Sequence, residues 1–212
     1  MEVLLSLFSI SLLLSPGAPL ECEVCFSTGN SCLTGKEMCE SDEDICLMEL
    51  TEISQGGKNM STIAKGCYFS ENCTSGSVLV TLGQGEFFRK STLCCSGEDC
   101  REDSLLWPPI NKIANGKYCP ACYSEFEPCP VKMVKCTGHE DYCLDLLGQT
   151  YSENNITLKG CITESVCEFL YSGLVNLFDT DTVNCWPANQ VSRLTGCLFL
   201  SLAAHLLMKV LL

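Results

Sequence analysis

Cysteine is the residue with the most chemistry to offer in this chain. There are 19 among 212 residues, and Cys-x-x-Cys pairs at Cys22/Cys25 and Cys119/Cys122 open two similar runs. Thiolates at that spacing can hold zinc or work as a redox dithiol. Both uses need reduced sulfur. A cysteine content of about 9% is instead the mark of an exported disulfide scaffold, because cytosolic glutathione and thioredoxin keep thiols reduced. The sulfurs are therefore read as crosslinks, with no metal and no cofactor expected.

Other reactive groups are sparse. The histidines are His139 and His205, and neither a Gly-x-Ser-x-Gly elbow, a phosphate-binding loop nor a His-Glu-x-x-His helix occurs. An enzyme needs a nucleophile, a base and an orienting group, so no catalysis is expected. The acidic run Glu40–Asp44 (ESDED) fails as a calcium loop: counted from Asp42, the sixth position is Leu47 and Cys46 takes a ligand slot. It reads as solvated surface. The formal net charge of −13 argues against nucleic acid, whose phosphates need Lys and Arg to displace counterions. A basic protein partner suits that charge, although acidic surface also serves solubility. Three sequons, at Asn59, Asn72 and Asn155, are expected to carry N-linked glycans in an exported chain.

The elements that must position these groups come in two copies. Cys22, Cys25, Cys32, Cys39 and Cys46 are spaced by three, seven, seven and seven positions, and Cys119, Cys122, Cys129, Cys136 and Cys143 repeat every interval. Lys-Gly-Cys follows each run (Lys65–Cys67 and Lys159–Cys161), then a cysteine six positions later, Cys73 or Cys167. The first copy ends on Cys94, Cys95 and Cys100 and the second on Cys185, giving ten and eight cysteines. Both numbers are even. Within a copy the patterning is that of strands. Cys46–Ser54 alternates apolar with polar and returns as Met60–Phe69 across Gln55-Gly-Gly-Lys58, a hairpin signature. Ser77–Leu82 and Phe87–Leu93 make another, and Cys143–Tyr151 with Asn155–Ile162 repeats the first, turning near Ser152–Asn154. No helical period is visible outside the chain ends, so the copies are expected to be all-β. Domain 1 spans 21–104 and domain 2 spans 118–188. The segment 105–117, with Trp107-Pro-Pro109 and Asn115-Gly116, reads as a linker.

Both ends read as targeting segments. Residues 1–20, with an apolar run Leu4–Leu14 followed by small residues, are expected to be a signal peptide cleaved between Gly17 and Glu21. Residues 189–212 combine a polar spacer with the apolar stretch Leu198–Leu212. As a helix that stretch covers about 22 Å, short of the ~30 Å hydrocarbon core, and it contains His205 and Lys209. It fits a glycosylphosphatidylinositol signal with attachment at Ala188 or Asn189. A soluble form and a spanning form are the alternatives. Cys197, the odd cysteine, lies in the part to be discarded.

These motifs together resemble the urokinase-receptor and lymphocyte-antigen family of three-finger domains. The Cys-x-x-Cys openings, Lys-Gly-Cys and the Cys-Cys-x-x-x-x-Cys ending of copy one carry the likeness over Cys22–Cys185. The resemblance implies the pairings Cys22–Cys46, Cys25–Cys32, Cys39–Cys67, Cys73–Cys94 and Cys95–Cys100, then Cys119–Cys143, Cys122–Cys129, Cys136–Cys161 and Cys167–Cys185. Spacing alone leaves the connectivity open. The stretches Glu21–Cys25, Glu40–Cys46 and Cys94–Glu102 are similar to gamma-type phospholipase A2 inhibitors. Arg101 stands where most family members have Asn after the last cysteine.

What the resemblance implies is a non-enzymatic extracellular protein that binds a protein ligand. The leading expectation is a lipid-anchored receptor or modulator on the cell surface. The alternative is a secreted inhibitor whose partner is a phospholipase A2. By position, Glu49, Glu52, Lys58 and Phe126 are candidate finger-tip contacts.

Overall fold

The computed structural model describes residues 19–33, 35–96, 100, 105–125, 128–149, 154–173, 177–178 and 182–190. The expected signal segment up to residue 18, Phe126, Cys197, His205 and the apolar tail lie outside the described residues.

The chain divides into two compact units, and the division does not follow the sequence repeat. Unit 1 comprises Met1–Leu50, Thr62–Ser75 and Thr92–Leu105; unit 2 comprises Thr51–Ser61, Gly76–Ser91 and Leu106–Leu212. The distal parts of both hairpins of copy one thus group with copy two.

Unit 1 is a stem of short strands held by sulfur. β1 (Glu21–Glu23) pairs antiparallel with β3 (Lys36–Met38), placing Glu21 opposite Met38. β2 (Cys25–Thr28) pairs antiparallel with β5 (Lys58–Tyr68), placing Cys25 opposite Lys65 and Phe26 opposite Ala64. In β4 (Ile45–Gln55) the period of two buries Cys46, Met48 and Leu50 and leaves Leu47 and Glu49 half-buried. Five bridges close the stem: Cys22–Cys46, Cys25–Cys32, Cys39–Cys67, Cys73–Cys94 and Cys95–Cys100. Each typically stabilises a small domain by about 2–4 kcal/mol through restriction of the unfolded chain. β4 and β5 meet at Gly56-Gly57, whose φ values of 58° and 74° are both positive, as a two-residue type I′ turn requires.

Unit 2 has the larger apolar core, drawn from both copies. β6 (Gly76–Gly83) and β7 (Glu86–Cys95) supply Val78, Val80, Leu82 and Phe88. β10 (Tyr142–Gln149) and β11 (Asn155–Ile162) supply Leu144, Leu146, Ile156, Leu158 and Ile162. Full burial of one such side chain stabilises by about 1.5–3 kcal/mol. β11 organises the unit. It pairs with β10 from Tyr142↔Ile162 to Gln149↔Asn155, with β8 (Ala114–Ser124) at Thr157–Lys159, and with β6 at Cys161↔Thr81. β8 also pairs with β9 (Lys132–Thr137) and β13 (Asn189–Gln190), while β12 (Thr182–Pro187) lies along β10. A second cluster of Cys119, Ala121, Val134, Cys136, Cys143, Cys161 and Ala188 sits around the bridges Cys119–Cys143 and Cys136–Cys161. Cys122–Cys129 and Cys167–Cys185 complete the set.

The fold is β-rich with two domains of three-finger type, and two details depart from expectation. An α-helix, α1, occupies Glu164–Tyr171. The Thr163 side chain caps it by accepting from the Val166 N–H, and only Cys167 and Leu170 are buried. Val166 and Phe169 also pack against the core, so Val166, Cys167, Phe169 and Leu170 carry a helical spacing that the strand reading overlooked, and the Cys167–Cys185 bridge helps hold the helix in place. Asn115-Gly116, read as a linker turn, lies instead inside β8. Gly116 has φ +86° and the β8–β9 register shifts between Ala114 and Tyr118, so the pair is a bulge. Its Asn115 Oδ1 accepts from the Lys117 N–H, and Asn115 Nδ2 donates to the Gly138 and Glu140 carbonyls.

Candidate functional site

Of the residues read as finger-tip contacts, only Lys58 is described at a tip, where it follows the Gly56-Gly57 turn and is exposed. Glu49 and Glu52 lie within β4, not at its end, because the strand runs three residues beyond Glu52 to Gln55. Glu49 accepts from the Thr92 hydroxyl. The Glu52 carboxylate is ion-paired with Arg89, whose guanidinium stacks 4.1 Å from the Trp107 ring centroid and 5.2 Å from that of Phe87. Glu52 is thus engaged by its own chain.

The three sequon asparagines are all exposed. Asn59 is the second residue of β5, next to the hairpin turn. Asn72 closes a 3-10 turn, Ser70–Asn72, directly before the bridged Cys73. Asn155 opens β11 and accepts from Gln149 Nε2 at 3.2 Å. Ala188 is only 9% exposed, and its N–H donates to the Asp141 carbonyl; Asn189 pairs with Tyr118 in the β13–β8 ladder.

The acidic run folds back on the 3-10 turn. Asp44 Oδ1 and Oδ2 accept from the Ser70 N–H at 2.7 Å and the Ser70 hydroxyl at 2.6 Å, and these bonds hold its carboxyl below the usual range. Asp42, Asp44, Phe69, Ser70 and Glu71 line an open cavity of about 340 Å³. Two sets of three sulfurs lie close enough to suggest a metal, Cys22/Cys39/Cys67 and Cys119/Cys136/Cys161. Every one of those sulfurs is in a disulfide, so none has a thiolate to give. The crowding is two bridges side by side, with Cys22 and Cys39 sulfurs 3.3 Å apart.

One buried group escaped sequence reasoning. His139 is exposed, whereas its neighbour Glu140 is only 5% exposed. Glu140 Oε1 accepts from the Thr81 hydroxyl of β6, and Oε2 accepts from the Thr137 N–H at 2.7 Å and the Thr137 hydroxyl at 3.0 Å. Burial raises its pKa, against the lowering effect of those three donors. The carboxylate ties copy one to copy two inside unit 2. No local signal marks it, since Thr81 is 59 residues upstream.

This framework of paired sulfurs, hairpins and exposed loops has known relatives. Residues 20–102 match the family model for phospholipase A2 inhibitors, and residues 115–189 match that for the u-PAR/Ly-6 domain. A phospholipase A2 inhibitor gamma chain of Gloydius brevicaudus siniticus is 33% identical over 186 residues, covering 82% of this chain and 90% of its own. The chain belongs to the u-PAR/Ly-6 family, in the group of gamma-type phospholipase A2 inhibitors. Phospholipase A2 inhibitor PIP of Malayopython reticulatus is 32% identical over 168 residues, 77% of this chain and 83% of its own. Phospholipase A2 inhibitor NAI of Notechis ater is 30% identical over 184 residues, 82% and 90% respectively. Among solved structures, mouse TEX101 superposes with a TM-score of 0.40 at 16% identity, over 80% of this chain and 99% of that one. A likeness at that score supports no functional conclusion. Among the described residues, bridged strands lead to exposed turns at Gly56-Gly57 and Gln84-Gly85.

Proposed function

We propose that this protein acts outside the cell by binding a phospholipase A2 and suppressing its hydrolysis of phospholipid, without turnover of its own. The observation that carries the reading is sequence likeness to proteins named phospholipase A2 inhibitors across both copies, not one alone. Physical features support it. Nine disulfides among the described residues suit an oxidising compartment. Rigid stems lower the ordering cost of binding, because the loops are held before the partner arrives. Among the described residues His139 is the sole histidine, exposed and on a connection, which favours binding over acid–base catalysis.

The test is titration of the purified full chain into secreted phospholipases with fatty-acid release as the readout. A stoichiometric fall in rate is expected, and hydrolysis that persists at saturating protein with every enzyme tried sinks the reading.

The apolar composition of Leu198–Leu212 favours a second reading of how the protein is displayed, as a lipid-tethered molecule at the cell surface. Cell-bound protein is then expected to be shed by a phosphatidylinositol-specific phospholipase C. Retention on the cells after that treatment rejects the tether and leaves the inhibitor reading intact.

A further inference from the structure

We propose that the first loop of unit 1, around the Cys25–Cys32 bridge, is a docking surface for a cationic protein with an apolar contact face. The inference rests on the phospholipase reading and names the kind of phospholipase surface involved.

The first observation is apolar side chains held in water. Phe26 on β2 is 74% exposed and Leu33, just past Cys32, is 98% exposed. The bridge brings the Cα atoms of Cys25 and Cys32 within 6.2 Å, so Phe26 and Leu33 flank one crosslink. Met38, 70% exposed, stands opposite Glu21 in the β1–β3 pair. Single exposed apolar residues are ordinary, but two large ones flanking one bridge suit an interaction surface, and Met38 adds a third exposed apolar side chain in the same unit. Among the described residues β2 also ends the strand order, bonded to β5, so Phe26 stands on an edge strand.

The second observation is where the charge lies. Among described residues unit 1 carries nine carboxylates against two lysines, whereas unit 2 carries eight acids and eight bases. One of the two lysines in unit 1, Lys65, is buried and paired with Glu23 at 2.6 Å. The acidic excess of the described residues therefore lies in the unit that carries these apolar side chains, with Glu21, Glu23 and Glu37 on β1 and β3 and the exposed Lys36 opposite Glu23. Apolar anchors inside a charged rim are the anatomy of a protein interface. The anchors supply contact area, and the rim selects a positive partner and speeds its arrival. The bridge keeps the anchors ordered before contact, which lowers the entropy lost on docking.

The experiment measures binding of the full chain to a basic and to an acidic secreted phospholipase A2, at low and high salt. The wild type is expected to prefer the basic enzyme and to weaken with salt. Phe26→Ser/Leu33→Ser is expected to raise Kd at least tenfold while the thermal midpoint stays within about 2 °C, because both side chains already lie in solvent. Glu21→Gln/Glu37→Gln is expected to slow association at low salt and flatten the salt dependence. Unchanged Kd in the serine double variant overturns the surface assignment while leaving the inhibitor reading standing. A wild-type chain that binds neither enzyme overturns both. A concentration-dependent dimer abolished by the serine substitutions would give the surface to a second copy of this chain, and also overturns the proposal.

Discussion

Glu140 shows how one side chain can make the stability of unit 2 depend on pH. Its carboxylate is buried, and desolvation is the largest influence on it, raising its pKa above the ordinary 4.5. A carboxyl with a raised folded-state pKa binds its proton more tightly folded than unfolded. It therefore adds stability as pH falls through that raised value and withdraws it as pH rises. Thermal midpoints of wild type and Glu140→Gln are to be followed from neutral pH down to about 4.5, and the wild type is expected to gain on the variant as the acid protonates. Parallel curves would refute this account. Glu140→Ala is expected to lose about 1–3 kcal/mol at any pH in that range, because it strands the buried Thr81 hydroxyl without an acceptor.

At the scale of elements, the repeated Lys-Gly-Cys tripeptide has two different jobs. Gly66 in copy one has open space where a Cβ would stand. In copy two, a Cβ on Gly160 would fall 2.5 Å from the Thr81 carbonyl oxygen and 2.6 Å from Val80 Cγ1. The glycine is what lets β11 approach β6 closely enough to pair at Cys161↔Thr81. Chemical denaturation is expected to find Gly160→Ala destabilised by about 1–3 kcal/mol, since backbone cannot give way as a flexible side chain can. Gly66→Ala is expected to stay within about 0.5 kcal/mol. Equal effects at the two glycines would mean that the β6–β11 junction is not what constrains Gly160. The strands themselves were legible from alternation and from turn residues, as the Gly56-Gly57 hairpin shows. Their cross-copy neighbours were not, because a period of two says which face is buried and not what covers it. Helix α1 was overlooked for a different reason: its capping threonine and the spacing of Val166, Cys167, Phe169 and Leu170 were present, but over only eight residues between strands they are a short signal.

For the whole molecule, the repeat, its cysteine intervals and the disulfide-built character could be read directly, because crosslinked stems tolerate little variation in spacing. The candidate contacts could not. Glu52 looked available from its place in a hairpin, but Arg89 reaches it from β7, 37 residues away. Phe26 and Leu33 drew no notice because a lone apolar residue in a sequence reads as core until its burial is known. Charge told a similar story. The total of −13 belongs to the chain, yet only the fold reveals that its described excess gathers in one unit.

The shared core has a consequence for the way this duplication can be taken apart. Val78, Val80, Leu82 and Phe88 come from one copy and Leu144, Leu146, Leu158 and Ile162 from the other, and all pack in one cluster. A cut anywhere in residues 105–113 therefore severs the gene's two halves without finding a seam in the packing. The ancestral unit has been duplicated into an object that is no longer a pair of beads; each half has become part of the other's interior, and inheritance of one without the other leaves an open wound of valine, leucine and phenylalanine.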